Sequence, residues 1–198
     1  MYYDLSIINP TSETLAAARR LGYTIVGSQK EPGGDEVVKV VRRVHVKGST
    51  RKEIARALGK TVKGEVLVVV EPLSLEAARY AAVNKKVHLI RVAPGMQRII
   101  DRSTKRLFEE RGWGAIELTL KPATLGEKGW FRYLYISLRK AYSLDIPVVV
   151  VSDAESEWEL WHPRSAAGLA ELAGIPGDAA LSWFHNSARR IITMVGLG

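Results

Sequence analysis

The sequence contains no cysteine. Disulfides, thiol nucleophiles and thiolate metal sites are excluded together. Side-chain amides are scarce: Gln29, Gln97, Asn9, Asn84 and Asn186 are the whole set. Few thermolabile residues beside many Arg and Glu fit a heat-adapted protein. No apolar run approaches the roughly 18–20 residues that cross a bilayer. The opening MYYDLSIINP lacks the basic region and small-residue cleavage site of a secretory leader, so a cytoplasmic protein without a membrane partner is expected. No GxGxxG, Walker loop or GxSxG motif occurs. GGDE at 33–36 is four residues in a loop and carries no specificity of its own.

Histidine pairs are missing too. A metal-hydrolase barrel usually places His-x-His on its first strand, where two imidazoles face one side and share a metal. Here that stretch reads Tyr3-Asp4-Leu5-Ser6. His45, His88, His162 and His185 are scattered, with no ligand spacing between them.

What the chain does have is positive charge. Lys and Arg number 29 against 21 acidic residues, for a net charge of +8. A protein of 198 residues is long enough for one domain with a real core, expected over 1–198. Such a basic balance is self-repulsive unless a polyanion is the partner, and nucleic acid is the first candidate.

Short β-rich runs alternate with helical stretches. YYDLSIIN leads to a helix from Thr11-Ser12 to Gly22, and YTIVGS and EVVKVVRRVHVKG follow. Thr50-x-x-Glu53 is a capping box for TRKEIARAL. EVLVVVE is a buried strand, and Ser74 caps LEAARYAA. VHLIRV is the fifth strand, AIELTL the sixth, IPVVVVS the seventh and ALSWF a short eighth, before a last helix through ARRIITMV. This order implies βα units and a parallel sheet. Seven or eight units suit a closed TIM-like (β/α) barrel, with an open doubly wound sheet as the competing architecture. The unit after the second strand is reduced: over 29–36 only QKEPGGDE is present, with Pro32-Gly33-Gly34, too short for a helix.

Function in parallel α/β folds sits at the carboxyl ends of the strands. As a catalytic set those ends are poor, and no catalytic or metal residue is assigned from them. Cations are more prominent. Met96, Ile99, Ile100 and Leu107 mark one face of a helix, with Arg98, Arg102, Lys105 and Arg106 opposite. In a helix expected over 125–144, Lys128, Arg132, Tyr135, Arg139 and Tyr142 form one stripe, while Leu134, Leu138 and Ala141 take the core side. Arginine pairs with phosphate and a ring stacks on a base. Arg91 and Lys121 add charge at strand ends, and Arg164 follows Pro163 on the first turn of a helix, beside free N–H donors. Ser152-x-x-Glu155 reads as a capping box, with Trp158 and Trp161 packing a short helix onto the barrel and Asp153 a structural residue at its mouth.

AIELTLKPAT, the basic helix after it, IPVVVVSDAESEWELWHPRSAAGLAELAGI and the closing ALSWF-helix resemble the ribonuclease P protein component 3 family, the archaeal counterpart of the eukaryotic thirty-kilodalton subunit. The resemblance implies a TIM-like barrel related to PHP-type phosphoesterases but without their metal-binding histidines. It implies a subunit that binds ribonuclease P RNA, with the RNA and its Mg²⁺ cleaving precursor tRNA and no cofactor held by the protein. The precursor tRNA is met indirectly. A ferredoxin-like ribonuclease P protein subunit is the implied partner, in a heterodimer or heterotetramer. The second reading is a metal-dependent PHP-type phosphoesterase whose site is built on Asp4, Glu71, Asp153 and His185.

Overall fold

The computed structural model of the chain describes residues 2–31, 38–61 and 65–196. Seven strands run in chain order: β1 (Tyr2–Asp4), β2 (Tyr23–Ser28), β3 (Lys39–Gly48), β4 (Leu67–Pro72), β5 (Leu89–Arg91), β6 (Ala115–Thr119) and β7 (Val148–Val151). Each pairs with its neighbour in parallel register, in the order β1-β2-β3-β4-β5-β6-β7. An open doubly wound sheet would shuffle this order. Instead the two edges meet: Ile7 bridges Ala154 in parallel, and the Ile8 N–H donates to the Ala154 carbonyl at 2.8 Å. The result is a nearly closed TIM-like barrel.

The helices are α1 (Ser12–Arg20), α2 (Arg51–Thr61), α3 (Leu75–Val83), α4 (Arg102–Arg111), α5 (Lys121–Thr124), α6 (Trp130–Ser143), α7 (Pro163–Glu171), α8 (Gly177–Phe184) and α9 (Asn186–Val195). Their starts follow local chemistry. Thr11 Oγ1 accepts from the Thr14 N–H, and Ser74 Oγ from the Ala77 N–H. Thr50 Oγ1 accepts from the Glu53 N–H, while the Glu53 carboxylate reaches back one residue further than a capping box would, to the Ser49 N–H. Gly112 ends α4 at φ 86°, the left-handed cap that glycine adopts without strain.

Three sequence expectations change. ALSWF is not a strand but lies in α8, where Ala180, Trp183 and Phe184 are buried in the main cluster. The apolar stretch 96–107 is not one helix: a 3-10 turn at Gln97–Ile99 precedes α4, whose N-cap Asp101 accepts from the Thr104 N–H. The expected helix 125–144 starts later, as α6 at Trp130 after Gly129 at φ 83°, while a separate short helix, α5, precedes residue 125. The reduced unit over 29–36 lies, from residue 32 onward, outside the described residues, as do Pro32-Gly33-Gly34 and the GGDE stretch.

The core has an outer and an inner part. Outside the barrel, Val44, Val46, Val68, Val70, Ile116, Leu118 and Val150 pack against the helices. Inside, Tyr3, Leu5, Val41, Leu67, Val69, Leu89, Ala115, Val149 and Val151 meet Ala188, Ile191 and Ile192 of α9. The interior-facing residues nearest the strand starts touch this helix, so α9 stoppers that end. The opposite end, where the strands finish, is the mouth.

The β7–β1 seam is stitched by side chains as well as backbone. The Asp4 carboxylate accepts from the Ser152 N–H at 3.2 and 3.3 Å and from the Ser6 N–H at 3.2 Å. Burial raises the Asp4 pKa to about 7, against the opposing pull of those bonds. The folded chain therefore keeps a proton on Asp4 up to about pH 7, while the unfolded chain loses it near 3.8. Between those values the folded state holds more protons, so stability falls as pH rises through the window, by an amount on the order of 4 kcal/mol. Asp4→Asn is expected to melt higher than wild type at pH 8, with the gap closing toward pH 4. Parallel melting curves across that range would exclude the coupling.

Candidate functional site

The mouth of the barrel is filled with charge that is spent internally. Arg43 projects from β3, where Val41, Arg43, His45 and Lys47 alternate toward one side and Arg42 is exposed. Its guanidinium grips the Glu117 carboxylate with two bonds, Nη1–Oε2 at 2.6 Å and Nη2–Oε1 at 2.7 Å. Arg43 Nη1 also donates to the Leu5 carbonyl at 2.6 Å. A Cβ on Gly27 would stand 2.3 Å from that same oxygen, so only glycine fits there. On the other side Arg91 Nε donates to Glu117 Oε1 at 2.6 Å, and Arg91 Nη2 to Asp153 Oδ1 at 2.7 Å. The Ser6 hydroxyl donates to Asp153 as well. Two cations and two anions form a neutral chain, Arg43–Glu117–Arg91–Asp153.

These groups are deeply buried: the Glu117 side chain is 0 % exposed and that of Arg43 1 %. Burial by itself would raise a carboxyl pKa. For Glu117 the charges of Arg43 and Arg91 overcome it and hold the group below the usual range. For Asp153 burial also opposes, and the charge and hydrogen bond of Arg91 bring it to about 2. Burial disfavours charge on Arg91 too, yet Glu117 and Asp153 raise its pKa above the ordinary arginine value. Asp153 adopts φ 54°, a left-handed backbone unusual for a residue with a side chain.

Further toward the rim, Glu71 lies between His45 Nε2 at 3.2 Å and Lys47 Nζ at 2.7 Å. His45 Nε2 makes this approach without hydrogen-bond geometry. His45, then Lys47, lower the Glu71 pKa to about 2 against the effect of burial. Lys121 sits between Glu155 at 3.2 Å and Glu159 at 2.5 Å.

The second-reading metal set is not brought together. Asp153 clasps Arg91, Glu71 faces His45 and Lys47, and Asp4 binds backbone N–H groups at the seam. Among the described residues, no three His, Asp or Glu side chains are placed to hold a metal ion. A cavity of 340 Å³ lies not at the mouth but at the opposite end, lined by Phe108, Trp113, Ser187 and Arg190 among others.

The expected cations separate into two groups. The Arg91 side chain is 11 % exposed and paired with the Glu117 and Asp153 carboxylates. Lys121 is 17 % exposed and engaged by two glutamates. By contrast Arg98, Arg102, Lys128, Arg132, Arg139 and Arg164 are exposed, and Lys105 is half-buried near Glu109 and Asp145. Arg132, Tyr135, Arg139 and Tyr142 share the outer face of α6, with Tyr133, Leu134, Leu138 and Ala141 inward. Arg139 Nη1 donates to the Tyr135 hydroxyl at 3.0 Å, and Phe131 lies 6.0 Å from the Tyr135 ring. Lys128 precedes the helix rather than belonging to it. Arg98 belongs to the 3-10 turn, apart from Arg102 on α4. At Arg164 the expected free donor is occupied, since its N–H is taken by His162 Nδ1 at 3.2 Å.

Three more corrections concern residues 152–162. Ser152 Oγ accepts from the Ala154 N–H, not from that of Glu155, so no capping box forms there. Glu155 pairs with Lys121 instead. Trp158 is 86 % exposed rather than packed, whereas Trp161 is half-buried and donates to Thr124 Oγ1 at 2.8 Å.

Sequence reasoning missed two sets. The Arg43–Glu117 pair was signalled by one glutamate inside the apolar AIELTL, which demands a cationic partner when buried. The exposed Lys52, Arg56 and Lys60 of α2 recur at i, i+4 and i+8, which places them on one face.

A family model described as "RNase P subunit p30" matches residues 1–197. Ribonuclease P protein component 3 of Aeropyrum pernix is 41% identical over 200 residues, covering 95% of this chain and 94% of that one. The protein of the same description from Methanosarcina mazei is 25% identical over 217 residues, covering 96% and 88%. A chain in the cryo-EM structure of archaeal ribonuclease P with mature tRNA superposes with a TM-score of 0.76 at 18% identity, covering 98% of this chain and 90% of that one. A crystal structure of an uncharacterized protein follows at TM-score 0.62 and 12% identity, covering 98% and 75%.

Glu117→Gln strips a charge from between two buried arginines. Breaking such a pair costs about 3–5 kcal/mol, so the melting temperature is expected to drop by roughly 10 °C. Glu155→Gln, at the solvent-exposed rim, is expected to shift it by no more than about 1 °C. Thermal melts of the two variants beside wild type check the contrast.

Proposed function

The chain belongs to the RNase P subunit p30 family, and from that premise we propose that it binds the catalytic RNA of ribonuclease P and assists removal of the 5′ leader from precursor tRNA. The observation that carries this reading is a contrast. Glu117 and Asp153 of the barrel mouth are neutralised by Arg43 and Arg91, while arginines on the helices face solvent. Among the described residues no three His, Asp or Glu side chains are placed to hold a metal ion, and the outer face of α6 has guanidinium groups beside rings. The protein acts as a scaffold for an RNA that does the cutting with its own Mg²⁺.

The proposed contacts are Arg98, Arg102, Lys105, Lys128, Arg132, Arg139 and Arg164, joined by Lys52, Arg56 and Lys60 of α2. Each cation that meets a phosphate releases condensed counterions, which stabilises a compact RNA at lower Mg²⁺. No base-reading motif is needed, because A-form RNA is recognised mainly by shape and backbone. Rings such as Tyr135 and Tyr142 stack on an unpaired base without regard to its identity. Precursor tRNA is met through the assembled RNA, and a ferredoxin-like ribonuclease P protein subunit is the proposed partner. Among the described residues no helix is long and apolar enough to cross a membrane.

Reconstituted precursor-tRNA cleavage tests the RNA surface. Arg132→Ala with Arg139→Ala, and separately Arg164→Ala, are expected to slow cleavage at low Mg²⁺ while the melting temperature holds. The double variant should flatten the dependence of RNA affinity on log salt by roughly one to two units of slope. Wild-type cleavage and an unchanged slope in both would remove these residues from the interface.

A further inference from the structure

One sector of the barrel mouth departs from the charge of the rest. The connections after β6 and β7 carry Glu127, Glu155, Glu157 and Glu159, with Lys121 and Lys128 as their cations. Asp153 is already committed to Arg91. The sector is therefore net negative on a chain whose overall charge is +8.

At its centre Trp158 is 86 % exposed, the most exposed large apolar side chain among the described residues. It is not on a loose tail. It sits in a 3-10 turn, Glu157–Glu159, whose last residue accepts from the Glu155 N–H at 2.7 Å and holds Lys121. Three residues on, Trp161 is fixed twice: its Nε1 donates to Thr124 Oγ1 at 2.8 Å, and its carbonyl accepts from the Tyr23 hydroxyl at 2.8 Å. Leu160 packs beneath, against the cluster of Leu15 and Tyr23. The indole is thus presented to solvent from an anchored turn. Leu125, next to Thr124, is 55 % exposed, and Ile8, bonded to Ala154, is 38 % exposed. These three side chains follow β6, β7 and β1, which are adjacent around the barrel.

We propose that this sector docks a protein partner whose contact surface offers an apolar pocket for the Trp158 indole, rimmed by lysine or arginine facing Glu155 and Glu157. The proposal rests on the ribonuclease P reading, which supplies a protein partner. Tryptophan held at the centre of a patch is the residue type that most often dominates interface energy, and opposite charges at the rim steer the encounter and fix its register. RNA is the less suited occupant. A base stacked on Trp158 would bring its phosphates against a net-negative sector whose Lys121 is already shared by Glu155 and Glu159, whereas the exposed cations of α2, α4 and α6 lie elsewhere. One molecule would then hold RNA on its basic helices and protein on its acidic sector.

The test titrates the ferredoxin-like ribonuclease P subunit, and separately ribonuclease P RNA, into wild type, Trp158→Ala and Glu157→Lys by calorimetry. Trp158→Ala is expected to weaken the protein partner about thirtyfold and to leave RNA affinity unchanged. Glu157→Lys is expected to weaken the same partner by slowing association, most visibly at low salt. Trp158 is so exposed that its removal should leave the melting temperature in place, which a thermal melt verifies. Unchanged partner affinity in Trp158→Ala overturns the proposal, and so does a loss of RNA affinity in that variant, which would mark the indole as a base platform. A wild-type protein that binds the RNA but not the subunit also overturns it and leaves the RNA reading standing. A wild-type protein that binds neither overturns the ribonuclease P reading itself.

Discussion

The Arg43–Glu117–Arg91–Asp153 chain is the constraint around which the barrel is arranged. None of the four charges is affordable alone at that depth, because an isolated buried ion costs several kcal/mol. Together they are neutral and hydrogen-bonded. They tie β3 to β6, β6 to β5, and β5 to the turn after β7, while Arg43 reaches the Leu5 carbonyl after β1. One network thereby crosses the barrel and fixes the relative positions of strands that are not neighbours. Gly27 is part of the same arrangement, since a side chain there would displace the carbonyl that Arg43 holds.

This interior has a consequence for chemistry. A carboxylate that grips a guanidinium is not available to a divalent cation or to a proton in transit. In Glu117 and Asp153 the arginine charges hold the ionised form against burial, so neither serves as a general acid near neutral pH. The place where a parallel barrel usually keeps its reactive groups is occupied here by structure. On the outside, charge is separated by sign: exposed cations along the helices, and carboxylates near one exposed tryptophan.

Much of the fold was legible because it rests on local rules. Seven strands stood out as apolar β-branched runs, and Thr11, Thr50 and Ser74 announced helices by their hydroxyls. The inward face of α6 followed from the spacing of Leu134, Leu138 and Ala141. What failed was decided by distant contacts. ALSWF has strand-like composition, yet its buried residues are spaced for a helix packed on the outer core. The pairing of Arg91 was not legible locally, because Glu117 arrives from the next strand. Ser152 has a capping pattern, and the left-handed turn at Asp153 redirects it. Trp158 was assigned to the core because tryptophan usually goes there. Its flanking residues are tethered to other elements, and those tethers hold it outward.

The strand count has its own geometric consequence. In an eight-stranded barrel the interior layers draw on alternate strands and close evenly around the circle. Seven strands cannot alternate evenly, so at one place two neighbours contribute to the same layer. The β1 and β7 edges meet through the bridge of Ile7 to Ala154, which Asp4 supplements by accepting from the Ser152 N–H. Amide protons along this seam should be the first in the barrel to exchange with solvent, and the two halves of the molecule should breathe about that line.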